Sequence, residues 1–161
     1  MATPTTLPAT FVAGNVLTAA QMNDLRGAFR ILQVVSTTTT TLATSASTTF
    51  VDTTLTVTIT PQSATSKIFV AINQLGYHDT SGGSSTIRLV RDSTVLQTQL
   101  DPIFNSAGTI IGNMSFMYLD SPATTSATIY KTQINRRSGS GTFYAQVNGA
   151  PANITVFEVS A

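Results

Sequence analysis

No cysteine occurs among the 161 residues, which excludes a disulfide scaffold and any thiolate zinc or iron–sulfur site. A single histidine, His78, is too few for a His-cluster metal site. Charge is scarce as well, since only 9% of residues are Asp, Glu, Lys or Arg, against about 25% in an average soluble domain. With a formal net charge of +1 and no basic stripe, nucleic acid and anionic membranes are poor partners. No apolar run approaches the roughly 18 residues of a membrane span, so no membrane insertion is expected. Met1 is followed by a Thr/Pro stretch without a basic start or an apolar run, so no secretory signal is expected and synthesis is placed in a cytoplasm.

Hydroxyl groups take the place of charge: Thr and Ser make up 46 of the 161 residues, and Thr favours strands while presenting a polar group. A hydroxyl-coated surface of low charge protects weakly against self-association, so a specific homo-oligomer is expected. At this length one core can form without staples, burying about 68–70% of the unfolded chain's surface.

Residues 1–35 form the first unit of the chain. Met1 to Phe11 reads as an irregular arm. A helix start follows, with Thr18 as N-cap, Gln21 as the N3 partner of a capping box, and Leu17 and Met22 as a hydrophobic staple. Met22, Leu25, Phe29 and Leu32 then recur at three- and four-residue steps, predicting an amphipathic helix of about 14–16 residues. Such a helix is marginal alone, so its stripe packs either against other copies or against the same chain's β region.

Residues 36–161 read as the second unit, a mainly β, antiparallel β-sandwich or jelly roll of eight or nine strands. Strict alternation in Thr54–Thr60 puts Leu55, Val57 and Ile59 on one face. Lys67–Tyr77 is apolar on both faces and is expected at the centre of a sheet. Asp92-Ser93 sets a tight hairpin between Ser85–Arg91 and Thr94–Leu100. Loops are expected at His78–Ser85 and Asp101–Gly108, with a turn at Arg136–Gly141. The last strand carries Ile154 and Val156 on one face and Phe157 and Val159 on the other. An exposed edge of that kind invites aggregation, so it is expected inside a sheet with Phe157 and Val159 facing a neighbouring subunit.

Catalytic chemistry is hard to assemble from these residues. His78-Asp79 lies near Ser81, Ser84 and Ser85, but no strand-to-helix nucleophile elbow accompanies them. The seven acids are scattered, and Gly82-Gly83-Ser84-Ser85 lacks the lysine and helix of a phosphate loop. Glu158, the sole Glu, sits on an otherwise apolar face, where an ion pair with an arginine is expected. No catalytic residue, cofactor or metal is therefore expected. His78, Asp79, Asp101, Arg136 and Arg137 lie on loops that can present them to a host-surface glycan, with tyrosines nearby to cover a sugar's apolar face.

Two segments resemble virion structural proteins of tailed bacteriophages. The first is Thr10-Phe11-Val12-Ala13-Gly14-Asn15-Val16-Leu17-Thr18-Ala19-Ala20-Gln21-Met22-Asn23, similar to a pattern F/W-x-x-G-x-x-L/V-T-A-A-x-L/M-N near the start of such proteins. The second runs from Val51-Asp52 through the Thr-rich strand to Pro61–Val70, with Arg88–Thr94 beyond it. The resemblance implies a non-enzymatic virion component, commonly a homotrimer with a β-sandwich head. Under it, Phe11, Val12, Leu17, Met22, Leu25, Phe29 and Leu32 serve attachment to other virion proteins or oligomerisation, and Phe157 and Val159 join the oligomerisation set. A short trimeric fibre with an outward head is the leading expectation. The alternatives are a capsid decoration protein and a free lectin-like carbohydrate-binding module.

Overall fold

The computed structural model describes residues 31–106 and 110–160, together with Gly14, Val16, Thr18 and Ala19. Ten strands pack as two antiparallel sheets: β1 (Ile31–Thr39), β2 (Ala43–Ser45), β3 (Val51–Ile59), β4 (Lys67–His78), β5 (Ser84–Arg91), β6 (Thr94–Phe104), β7 (Ile110–Asp120), β8 (Thr128–Ser138), β9 (Phe143–Ala145) and β10 (Ala152–Val159). The first sheet runs β1-β10-β4-β9-β2, with β7 on β4; the second runs β3-β8-β5-β6. The expected antiparallel β-sandwich is thus the observed fold, with the two three-residue strands added to the eight longer ones.

Alternation determines which side chains meet between the sheets. Leu55, Val57 and Ile59 of β3 oppose Ile68, Val70 and Ile72 of β4 and Ile154 and Val156 of β10, all buried in one cluster with Ile87, Leu89, Tyr130 and Ile134. Burying a side chain of this size contributes about 1.5–3 kcal/mol, so the period-two pattern fixes the register. The two strands expected inside a sheet are there: β4 lies between β10 and β7, and β10 lies between β1 and β4. The Asp92-Ser93 turn joins β5 to β6, with Arg91 opposite Thr94 and Asp92 at φ 52, the left-handed region that tight hairpins use.

Two expectations about secondary structure need correction. Leu32, placed by its spacing at the end of a helix, lies in β1, which already begins at Ile31. β1 pairs with β10 from Ile31 opposite Val159 to Thr39 opposite Ala152, and this ladder outweighs the local helical spacing. Of the rest of the predicted helix only Ala19 is described as helical, preceded by Thr18; Phe11, Val12, Leu17, Met22, Leu25 and Phe29 lie outside the described residues. The second correction concerns Asp101–Phe104, which extends β6 rather than opening a loop. A bulge accommodates it, since Leu100 opposes Thr86 and Phe104 opposes Ser84, with Asp101 at φ 53 just before Pro102. Beyond the bulge Ile103 is driven into the core. It fits because Gly76 and Gly112 face each other on β4 and β7: a Cβ on Gly112 would stand 2.5 Å from the Ile103 side chain.

Among the described residues Glu158 has no arginine partner, where an ion pair was expected. Its buried carboxylate accepts hydrogen bonds from Gln33 Nε2 (2.6 Å) and from the backbone N–H groups of Gln62 (2.8 Å) and Ser63 (3.3 Å). It therefore ties the start of β1 and the β3–β4 connection to the last strand. Burial raises its pKa, but hydrogen bonds from Gln33 and the Gln62 and Ser63 amides outweigh burial, so the net shift is downward. A carboxylate with a depressed folded pKa contributes stability above its unfolded value, and that contribution disappears as pH falls through the folded pKa. Glu158→Gln is accordingly expected to lower stability by about 1–3 kcal/mol at pH 7 and to flatten the loss on acidification, as read by urea unfolding between pH 7 and pH 3. Asp52 and Asp79 also carry lowered pKa values, so part of the acid sensitivity persists in that variant.

Candidate functional site

Three connections converge at one end of the sandwich. The β4–β5 connection is stitched to the segment after β6: Asn105 Nδ2 donates to the His78 carbonyl (3.1 Å), Asn105 N–H to the Gly83 carbonyl (2.9 Å), and Ser81 Oγ to the Ser106 carbonyl (3.0 Å). The β8–β9 turn closes on the same connection, where Thr142 N–H donates to Asp79 Oδ1 (2.8 Å) and Asp79 N–H to the Thr142 carbonyl (3.2 Å). The structure therefore brings His78, Asp79, Asp101, Arg136 and Arg137 to one end, as a shared loop site requires.

Their chemical states differ. His78 is fully buried, with its ring 6.5 Å from that of Phe143 and Gly83 lying flat against it; a Cβ at Gly83 would stand 2.0 Å from the imidazole. Burial pushes its pKa down, against an opposing pull from the Asp79 carboxylate, and the ring accepts the Thr80 N–H at Nδ1 (3.3 Å). A neutral, enclosed ring of this kind offers nothing to a ligand, so the histidine is a packing element and leaves the contact set. Asp79 accepts from Thr142 N–H, the Thr80 hydroxyl and the Tyr144 hydroxyl, and the Thr142 bond leads in holding its carboxyl below the usual range.

Arg137 pairs with Asp101, both side chains remaining partly exposed. Arg136 donates from its guanidinium to the Gly141 carbonyl (3.4 Å) and from its backbone N–H to the Ser47 carbonyl (3.0 Å). On the adjoining outer surface of the first sheet, the Tyr77 and Tyr144 rings lie with centroids 5.4 Å apart, tilted by 30°. Among the described groups at this end, Asp79, Asp101 and Arg137 are exposed, and Arg136 and the tyrosine pair are partly so. Among the described residues no cluster of His, Asp or Glu is arranged to hold a metal, and no helix is long and apolar enough to cross a membrane.

Phe157 and Val159 lie elsewhere, on the outer face of the first sheet, where Phe157 pairs with Phe69 of β4 (centroids 6.0 Å). Sequence reasoning missed two polar bridges between the sheets. Asp120, at the end of β7, accepts Arg91 and Tyr130 of the second sheet, and Gln74 of β4 accepts the Thr132 hydroxyl (3.0 Å), itself 2.6 Å from Thr53. Nothing in the local sequence marks these pairs, whose members lie on different strands.

No family model matches the chain, and no curated protein does. Among solved structures it is similar to the VP2 subviral particle of infectious bursal disease virus, with 16% identity and a TM-score of 0.40 over 81% of this chain and 38% of that one. It is also similar to a protein of Bacillus endospore appendages, described as disulfide-linked pili (13% identity, TM-score 0.35, 80% of this chain and 89% of that one). A third is dimeric latent PorU of Porphyromonas gingivalis (8% identity, TM-score 0.40, 82% of this chain and 13% of that one). The chain thus spans well under half the length of the VP2 chain.

Proposed function

We propose that this chain is a non-enzymatic structural component of a tailed-bacteriophage virion, a short trimeric fibre attached through its N-terminal arm and helix with the β-sandwich as an outward head. The observation that carries the reading is the division of labour along the chain. Residues 10–23 bear the virion-protein resemblance. The head behind them spends its ionisable groups on its own loops and sheets: His78 in packing, Asp79 and Glu158 on backbone amides, and Asp120 on the bridge between sheets. The described hydroxyl that meets a carboxylate at the loop end, Thr80, shares Asp79 with the Thr142 amide and the Tyr144 hydroxyl. That carboxylate therefore serves as a structural acceptor, which supports a binding or scaffolding role over catalysis.

In this reading the loop end is the receptor-facing surface, and a host-surface glycan is its ligand. Individual sugar contacts are weak, and several copies on one particle raise avidity through effective concentration. Changing Arg136 and Arg137 together to Ala is expected to reduce adsorption to host cells. The exposed Arg137–Asp101 pair contributes at most about 1 kcal/mol, so the thermal midpoint should stay within a few degrees. Adsorption at the wild-type rate, with assembly intact, would remove the arginines from the site and favour a decoration role.

A further inference from the structure

The two outer faces of the sandwich differ in chemistry. The second sheet's outer face is laced with charge: Asp52 accepts from Lys131 (2.7 Å) and Gln133 (2.5 Å), and Arg88 donates to Gln133 (2.7 Å) while stacking 3.7 Å over the Phe50 ring. On the first sheet's outer face, Lys67 is the one charged side chain among the described strand residues. This face is built in rows, because the registers of β1, β10, β4 and β7 align directly. Val34, Phe157, Phe69 and Leu119 form one row across all four strands, with Ile31 and Val159 beyond it and Met117 one step within. Val34, Leu119 and Met117 are 52%, 51% and 67% exposed. A polar row follows, in which Thr38 donates to Asn153 (2.6 Å) and Ser115 to Asn73 (3.1 Å), and the face ends in Tyr77, Tyr144 and Ile111.

We propose that this outer face of the first sheet is the subunit interface, occupied by a second copy of the same chain related by an axis running along the strands. The proposal rests on the homo-oligomer part of the functional reading. Rotation about such an axis keeps every row at its own height, so apolar row meets apolar row and hydroxyl row meets hydroxyl row. Four strands at about 4.8 Å spacing and some ten residues at about 3.3 Å give a face of roughly 600 Å², close to the ~800 Å² each partner contributes to a standard interface. The start of β1 agrees with this axis: Ile31 lies beside the apolar row, so β1 of every copy begins at the same end.

The test measures the mass of the full chain by light scattering across a micromolar dilution series. Wild type is expected as a closed oligomer. Met117→Asp combined with Leu119→Asp, both at exposed positions that a folded subunit tolerates, is expected to weaken self-association by at least about 100-fold. Thr54→Asp and Thr56→Asp on the opposite face should leave association unchanged, and circular dichroism should show the same strand signal in every variant. Wild-type association by the Met117/Leu119 variant would overturn the interface while leaving the oligomer reading in place. A monomeric wild type would overturn both, and if Met117 then resists peroxide oxidation, the occupant of the face is the chain's own N-terminal segment.

Discussion

Asp120→Ala is expected to lower the unfolding free energy by about 3–5 kcal/mol, the range for breaking a buried ion pair from one side. The carboxylate ends β7 in the first sheet, and Arg91 of β5 reaches both its oxygens from the second (2.9 and 2.7 Å). The Tyr130 hydroxyl of β8 donates to the same group at 2.7 Å. Removing the acceptor leaves a mostly buried guanidinium and a fully buried phenol with nothing to donate to, and each orphaned donor carries its desolvation penalty. Burial, followed by the Asp120 carboxylate, pushes the Tyr130 phenol above its usual range, so it remains a donor at all working pH values. Urea unfolding checks the expectation: with a slope of about 1–3 kcal/mol/M the midpoint should fall by at least about 1 M. Asp120→Asn, which keeps one acceptor, should lose less. A loss under about 1 kcal/mol for the alanine variant would show that the bridge is incidental to the packing of the two sheets.

Deleting residues 1–30 is expected to abolish incorporation into particles while leaving the head folded. Among the described residues the core cluster lies within the two sheets, from Leu55 on β3 to Val156 on β10 with Val35 of β1 packed against it, so the head has a hydrophobic interior built from its own strands. The cut must fall before Ile31. A longer deletion would take Gln33, which donates to Glu158 (2.6 Å) and to the Thr60 carbonyl (2.8 Å), and would damage the fold along with attachment. Under the proposed reading this segment docks the head, so removing it eliminates that contact altogether. The expected readout is a head with an unchanged circular dichroism spectrum and at least about 100-fold fewer copies in purified particles. Wild-type incorporation of the truncated head would assign docking to the sandwich itself.

Period-two patterning made most of the sandwich legible. Leu55, Val57 and Ile59 on β3, and the two apolar faces of β4 and β10, announced both the strands and their central places, because burial on alternate residues leaves one workable register. Asp92-Ser93 announced its hairpin through the left-handed backbone that such turns need. The loops at His78–Ser85 and Arg136–Gly141 were legible from their Gly and Ser content, whereas the hydrogen bonds that join them with the segment after β6 were not. Leu32 misled because Phe29 and Leu32 satisfy helical spacing as well as Ile31–Val35 satisfies a strand, and only the distant β10 decides between them. Glu158 was illegible for a related reason: its described donors lie 95 to 125 residues away, and they are a glutamine side chain and two backbone amides, which no local pattern displays. The burial of His78 depends on Gly83, whose missing side chain leaves room for the ring.

As a particle component held by its N-terminal segment, this chain should be visible in a reconstruction of intact particles by electron cryomicroscopy. The predicted result is two-layered sandwich density in rotationally symmetric clusters, a few to some tens per particle as an order of magnitude, each joined to the particle through the Ile31 end with the His78–Arg137 end facing outward. Purified particles containing no copy of this chain, or sandwiches lying with the loop end against the shell and residues 1–30 pointing to solvent, would contradict it.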